Sequence, residues 1–147
     1  VGFGGALDAR LRPGDVLVAG EVRGAGPPAP CHRPEALARE LAAELAGTGT
    51  RVLLGPLLTS PGVVGGAGRA RLAARGARAV DMETAVLAAA APGHPLAAVR
   101  VIVDGPRRPL WSPGTLVRGA AAWRTLARVG PALERWAAAP DGRAGAP

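Results

Sequence analysis

A chain of 147 residues that is 48% hydrophobic can bury one core and form one domain, which excludes a disordered chain and a two-domain one. Its formal charge of +7 comes entirely from arginines scattered along the chain, beside abundant Ala, Gly and Pro. That is the pattern of a GC-rich coding bias, and it argues against a nucleic-acid-binding face.

In chain order, Val1-Gly2-Phe3-Gly4-Gly5-Ala6-Leu7 reads as the end of a strand running into a glycine turn. Domains seldom open in mid-element, so strands are expected to precede Val1. Arg12-Pro13-Gly14-Asp15 is a turn that delivers the chain into an apolar strand, Val16 to Ala19. Gly24 to Pro34 is rich in Gly and Pro and reads as a loop. Within it, Cys31-His32 has the character of a surface loop, not of a metal site or a nucleophile. As the single cysteine, Cys31 cannot form an internal disulfide.

Pro34 and Glu35 open a helix whose Leu37, Leu41 and Leu45 form one apolar stripe, fitting a core or an interface between subunits. Gly47 and Gly49 end it. Arg51 to Leu54 is a strand, extended or followed by Leu57-Leu58-Thr59. Ser60-Pro61-Gly62 turns the chain before a short helix over Arg69 to Arg75. Ala79-Val80 is a brief strand end, and Asp81 to Ala91 a helix closed by Pro92-Gly93. Leu96 to Val103, apolar except for Arg100, suits a strand covered on both faces. After a Pro- and Arg-containing loop come two helices, near Thr115 to Ala127 and Pro131 to Ala139. The 140–147 tail is expected to be disordered. Alternating strands and helices make this an α/β layered fold.

No apolar run is long enough to span a bilayer and no basic-then-apolar leader opens the chain, so no stable membrane insertion and a cytoplasmic location are expected. No Cys/His spacing suggests a metal, and no cofactor is implied.

Two segments carry the chemistry. In Val80-Asp81-Met82-Glu83-Thr84 a strand end passes into a helix, and in Val99 to Asp104 an apolar strand ends in a carboxylate. Carboxylates at strand C-termini lie where open α/β sheets bind ligands. Each residue also has an ordinary structural reading. Asp81 and Glu83 are acids that a helix N-terminus favours, Met82 is core filler, and Asp104 begins a turn at Gly105-Pro106.

Taken together and in order, Gly2 to Leu7, Arg12 to Asp15, Asp81-Met82-Glu83 and Arg100 to Asp104 resemble the bacterial nucleosidases and purine nucleoside phosphorylases. The resemblance covers about residues 1 to 105 and implies a three-layer α/β phosphorylase/hydrolase-like domain with a central mixed sheet. Residues 1–139 would be the C-terminal two-thirds of that fold, its first strands missing. The activity implied is cleavage of the N-glycosidic bond of a purine nucleoside or adenosine derivative, releasing adenine.

By the same resemblance, Asp104 hydrogen-bonds or protonates N7 of the purine, relieving charge on the departing base. Glu83 grips the ribose hydroxyls and favours the oxocarbenium-like sugar. Met82 packs on the ribose, Asp81 joins it in binding the substrate, Gly4 and Gly5 line the site, and Val63 and Val64 flank the purine. The partners implied are a small-molecule nucleoside and a second copy of the chain in a homodimer, with no nucleic acid. The family's water-activating carboxylate, or the phosphorylases' phosphate ligands, would precede Val1. Val103 stands where a small hydroxyl residue is common, and Phe3 where a small residue is. Phosphorolysis, or a non-catalytic nucleoside-binding remnant, are the alternatives. The Pro106 to Pro113 stretch with Trp111 adds a narrower resemblance to hopanoid-associated nucleosidases, whose substrate has a greasy tail. Trp111 could equally be a plug on the sheet.

Overall fold

The structure is a computed structural model that describes residues 1–105 and 115–139, with side chains described outside 115–120. The strands are β1 (Gly2–Ala6), β2 (Val16–Arg23), β3 (Ala29–Pro30), β4 (Val52–Thr59), β5 (Ala79–Asp81) and β6 (Val99–Asp104). The helices are α1 (Pro34–Glu44), α2 (Gly66–Ala74), α3 (Thr84–Ala90) and α4 (Thr115–Ala138).

The strands form one mixed sheet in the order β3-β2-β4-β5-β1-β6. β2 runs parallel to β4, β4 to β5 and β1 to β6, while β1–β5, β2–β6 and β2–β3 are antiparallel. Because β2 pairs with β6 as well as with β4, strands β2, β4, β5, β1 and β6 close on themselves. Each of them sends a small or branched side chain inward: Leu17 and Ala19, Leu57, Ala79, Ala6 and Ile102 belong to one buried cluster. The alternate residues of β2 and β6, Val16, Val18, Val99 and Val101, face out and meet α1 and α4. That division follows from the period-two alternation of a strand. A third cluster, Leu7, Leu58 and Val80, packs under Leu72 and Ala73 of α2. Helices thus flank a central mixed sheet, as the sequence predicts, and the ring closure is an addition to that expectation.

Helix α1 begins with Pro34 in its first turn and Glu35 near its positive end. Leu37, Leu41 and Leu45 are fully buried against the sheet, contributing roughly 1.5–3 kcal/mol each. The stripe therefore serves the core. Before it, Arg33 sits at φ 44°, the one described non-glycine residue in the left-handed region. Its guanidinium donates to the carbonyls of Trp136 (3.1 Å) and Ala139 (2.7 Å), and the Trp136 indole N–H donates back to the Arg33 carbonyl at 3.2 Å. These bonds hold the strained turn and tie the start of α1 to the end of α4.

Several element boundaries differ from the sequence reading. Gly2 to Ala6 is strand throughout, with no glycine turn. Asp81 closes β5 and does not open a helix, because Thr84 begins α3. The last strand starts at Val99, not Leu96, and includes Asp104. The two C-terminal helices are a single α4 that runs through Pro131. Its buried positions, Ala122, Thr125, Val129 and Ala132, keep helical spacing across the proline, and packing on α1 outweighs the one lost backbone bond. Cys31 is buried against the ring interior and is no surface residue. Pairing of β3 with β2 continues into a Cys31 N–H bond to the Gly20 carbonyl (2.9 Å), which draws the thiol inward. The Pro-rich stretch through Pro113, Trp111 and the 140–147 tail lie outside the described residues.

Candidate active site

Strands β5, β1 and β6 lie side by side, and their register places Val80, Gly5 and Asp104 in one row. Over this row opens a cleft of about 190 Å³. All the site residues predicted from sequence line it: Asp104, Glu83, Met82, Asp81, Gly4, Gly5, Val63 and Val64. Phe3, Val103 and Arg69 complete much of the wall.

The glycines are needed because side chains cross over β1. A Cβ on Gly5 would stand 2.6 Å from Asp104 Oδ1 and 3.1 Å from both terminal nitrogens of Arg69. One on Gly4 would stand 3.1 Å from the Val80 carbonyl and 3.2 Å from the Arg100 Cβ. What approaches these glycines closely is therefore the chain's own polar side chains.

Asp81 and Glu83, two residues apart, face different surroundings. Asp81 is buried. Its Oδ1 accepts from Thr59 Oγ1 at 2.7 Å, and its Oδ2 from Arg100 Nε at 2.9 Å, the Thr84 backbone N–H at 3.2 Å and the Thr84 hydroxyl. Arg100 Nη2 in turn donates to Thr84 Oγ1 at 2.5 Å, and the Ala85 N–H donates to Thr59 Oγ1 at 2.9 Å. Burial alone pushes the Asp81 carboxyl up. The Thr84 and Thr59 hydrogen bonds, together with the Arg100 charge and its hydrogen bond, outweigh that and hold it below the ordinary carboxylate value. Asp81 thus caps the start of α3 and aligns the backbone that carries the next two residues.

Met82 and Glu83 are exposed at the cleft mouth, Met82 at 51%. Glu83 stands at the N-cap position of α3, yet its side chain makes no capping hydrogen bond. Its carboxylate is left to accept from a ligand. Val63, 73% exposed, and Val64 stand on the loop after β4 and line the same cleft as Met82 and Glu83.

Asp104 is buried, and its Oδ2 accepts from Arg69 Nη2. Arg69 also donates to the Ala6 carbonyl at 2.8 Å and, through Nε, to the Val64 carbonyl at 2.8 Å. One buried guanidinium therefore joins α2, the Val63-Val64 loop, β1 and the acid at the end of β6. In the sequence alone Arg69 does not stand out, since it is one of many scattered arginines. An arginine at the one buried position of an otherwise exposed or half-buried α2 is the signal that marks it, and it needs the fold to be seen.

The cleft therefore brings together two carboxylates, an exposed Glu83 and a buried Asp104 paired with Arg69, with the exposed apolar side chains of Met82 and Val63 also in its lining. Among the described residues no group of three or more His, Cys, Asp or Glu is placed to hold a metal ion. A second, mostly apolar groove of about 580 Å³ adjoins the cleft at Met82. Its walls are the Gly24–Ala29 loop, Ser60-Pro61 and the exposed face of α3 with Ala85, Val86 and Ala89. No described helix is long and apolar enough to cross a membrane.

The sequence pattern of the phosphorylase superfamily matches residues 1–122. Among solved structures, the chain is similar to a 5'-methylthioadenosine/S-adenosylhomocysteine nucleosidase from Helicobacter pylori, with 19% identity and a TM-score of 0.71 over 91% of this chain. It is similar to a nucleosidase of the same name from Colwellia psychrerythraea, solved in complex with adenine, with 20% identity and a TM-score of 0.67 over 90% of this chain. A futalosine hydrolase from Helicobacter pylori matches 88% of this chain at 20% identity with a TM-score of 0.65. The chain covers 66%, 65% and 65% of these three structures in turn, just under two thirds. No curated protein matches by sequence.

Proposed function

The chain belongs to the phosphorylase superfamily, and from that premise we propose that it cleaves the N-glycosidic bond of a purine nucleoside or adenosine derivative, releasing adenine. The observation that carries this reading is the pairing of Glu83, a carboxylate without a capping bond, with Asp104 in one cleft. A nucleoside needs an acceptor for its sugar hydroxyls and a donor for its base, and these two acids supply both.

In this reading the C1'–N9 bond breaks and its electron pair leaves with the base. Asp104 gives a proton to N7 from Oδ1, the oxygen opposite its Arg69 partner, while a water oxygen bonds to C1' and the proton that water loses replaces, through solvent, the one Asp104 gave. Proton transfer of this kind is worth about 10²–10⁴-fold in rate. Glu83 accepts hydrogen bonds from the ribose hydroxyls, and its charge stabilises the positive sugar. Met82 packs on the ribose, while Val63, Val64 and Phe3 border the base. Gly4 and Gly5 leave room, whereas Asp81, expected from the sequence to bind the substrate, is buried with both oxygens held by Thr59, Thr84 and Arg100 and in this reading positions Met82 and Glu83 instead. Water is the proposed acceptor because the similar structures are nucleosidases and a hydrolase. Phosphorolysis is the alternative.

The apolar groove at Met82 supports a finer reading, a nucleoside with a large apolar 5' substituent, in line with a role in hopanoid biosynthesis. A homodimer and a cytoplasmic location complete the proposal. The test is chromatography of adenine released from adenosine, 5'-methylthioadenosine and an apolar 5'-alkyl adenosine, with and without phosphate. The chain is assayed alone and with the upstream reading frame added. Release without phosphate supports hydrolysis, phosphate-dependent release supports the alternative, and the 5'-alkyl substrate tests the groove. Binding of adenine with no turnover in either form would turn the reading to a non-catalytic remnant.

A further inference from the structure

We propose that a second, basic cleft, sharing no residue with the candidate active site, binds a small molecule carrying two or more phosphate groups. The cleft encloses about 770 Å³ between the turn before β2, the turn before β4 and the middle of α4. Arg12, Arg51, Arg124 and Arg128 line it, with Thr48, Thr50 and the glycine turn at Gly47 and Gly49.

Its charge is unbalanced. Asp15 is the one acid in the lining, and it is committed: Arg51 Nε (3.2 Å) and Nη2 and the Arg12 backbone N–H (2.7 Å) all donate to it. Among the described residues no carboxylate or carbonyl pairs with the guanidinium of Arg12, Arg124 or Arg128. Other arginines are placed otherwise: Arg10 on Asp8, Arg23 on Glu21, Arg69 on Asp104, Arg100 on Asp81, Arg135 on Glu40 and Glu44. Arg124 and Arg128 stand one turn apart on the same helix face, where like charges repel. An anion between them removes that repulsion.

Guanidinium groups bind phosphate oxygens with paired, charge-assisted hydrogen bonds. Gly47 and Gly49, at φ 76° and 78°, shape the facing turn. The volume falls within the range of small-molecule pockets. Three arginines without a described partner in the lining of one concavity suit a compact oligophosphate, whereas an extended nucleic-acid backbone calls for a linear stripe.

The experiment is calorimetric titration of the chain with inorganic tripolyphosphate in 0.15 M NaCl. The expected result is saturable binding of one equivalent, weakened tenfold or more by Arg124→Gln/Arg128→Gln. The double variant Arg71→Gln/Arg75→Gln, which removes the same charge from exposed positions of α2 and its end, is expected to bind as the parent does. Protection of Arg124 and Arg128 from phenylglyoxal by tripolyphosphate supplies a readout on the unmutated chain. Equal weakening by both double variants, absence of saturable binding, or absence of protection would overturn the proposal. So would tighter binding of a 12-nucleotide DNA strand than of tripolyphosphate. Because the two clefts share no lining residue, adenine release is expected to be unchanged in these variants, so this proposal and the glycosidic one fail separately.

Discussion

Arg69 and Asp104 meet across β1, in the space that the missing side chain of Gly5 leaves open. The ion pair is buried, and the same guanidinium holds the carbonyls of Ala6 and Val64. Arg69 thereby fixes where Asp104 points and where the Val63-Val64 loop sits. Replacing Arg69 with Met leaves a buried carboxylate unpaired, which costs about 3–5 kcal/mol where a partner is removed outright. The expected outcome is a lowered kcat with a shifted pH profile, partly restored in Arg69→Lys. An unchanged pH profile in a folded Arg69→Met would reduce Arg69 to a scaffold role.

Gly5→Ala tests the crossing directly. Its Cβ would lie 2.6 Å from Asp104 Oδ1, so the acid or the strand must move. Overpacking of this kind costs about 1–3 kcal/mol, and denaturant unfolding is expected to show a loss in that range. Gly26→Ala, at a position where nothing lies within 4 Å, serves as the neutral comparison.

Asp81 gives a pH prediction. Its folded carboxyl lies below the ordinary carboxylate value, so its contribution to stability is complete above about pH 4 and is lost as pH falls through the folded value. Unfolding of the parent and of Asp81→Asn, followed from pH 7 to pH 2.5, is expected to differ most at neutral pH and to converge in acid. A constant difference across that range would show that the charge on Asp81 contributes little.

Much of this was readable in advance, and the misses share a cause. Leu37, Leu41 and Leu45 gave α1 because periodicity is a local property, and the order of motifs gave the cleft because its residues sit at element ends. The closed ring was not readable, since β2–β6 pairing joins segments far apart in sequence. Nor was the division of labour between Asp81 and Glu83. Both are acids beside a helix start, and only the packing of Thr59 and Arg100 against one of them separates a buried anchor from a free carboxylate. The sequence separates two helices between Ala127 and Pro131 because a proline suits a first helical turn, and the α1–α4 contact overrides that local preference.

Cys31 follows the same logic. Burial pushes its thiol up to about 11, so the thiolate is scarce at neutral pH and the sulfur is sheltered. Native protein at pH 8 is expected to react slowly with a thiol-specific disulfide reagent, and to react fully once unfolded in guanidinium. Rapid labelling of the native chain would place Cys31 at the surface.

The central claim is that Asp104 delivers the proton to a departing purine while Glu83 holds the sugar. The most direct test is the single-turnover rate of adenine release from 5'-methylthioadenosine by the parent, Asp104→Asn and Glu83→Gln, in the form that shows turnover. The account predicts a fall of about 10²-fold or more in Asp104→Asn with substrate still bound, and a fall in Glu83→Gln accompanied by weaker binding. Release at the parental rate by a folded Asp104→Asn would contradict it.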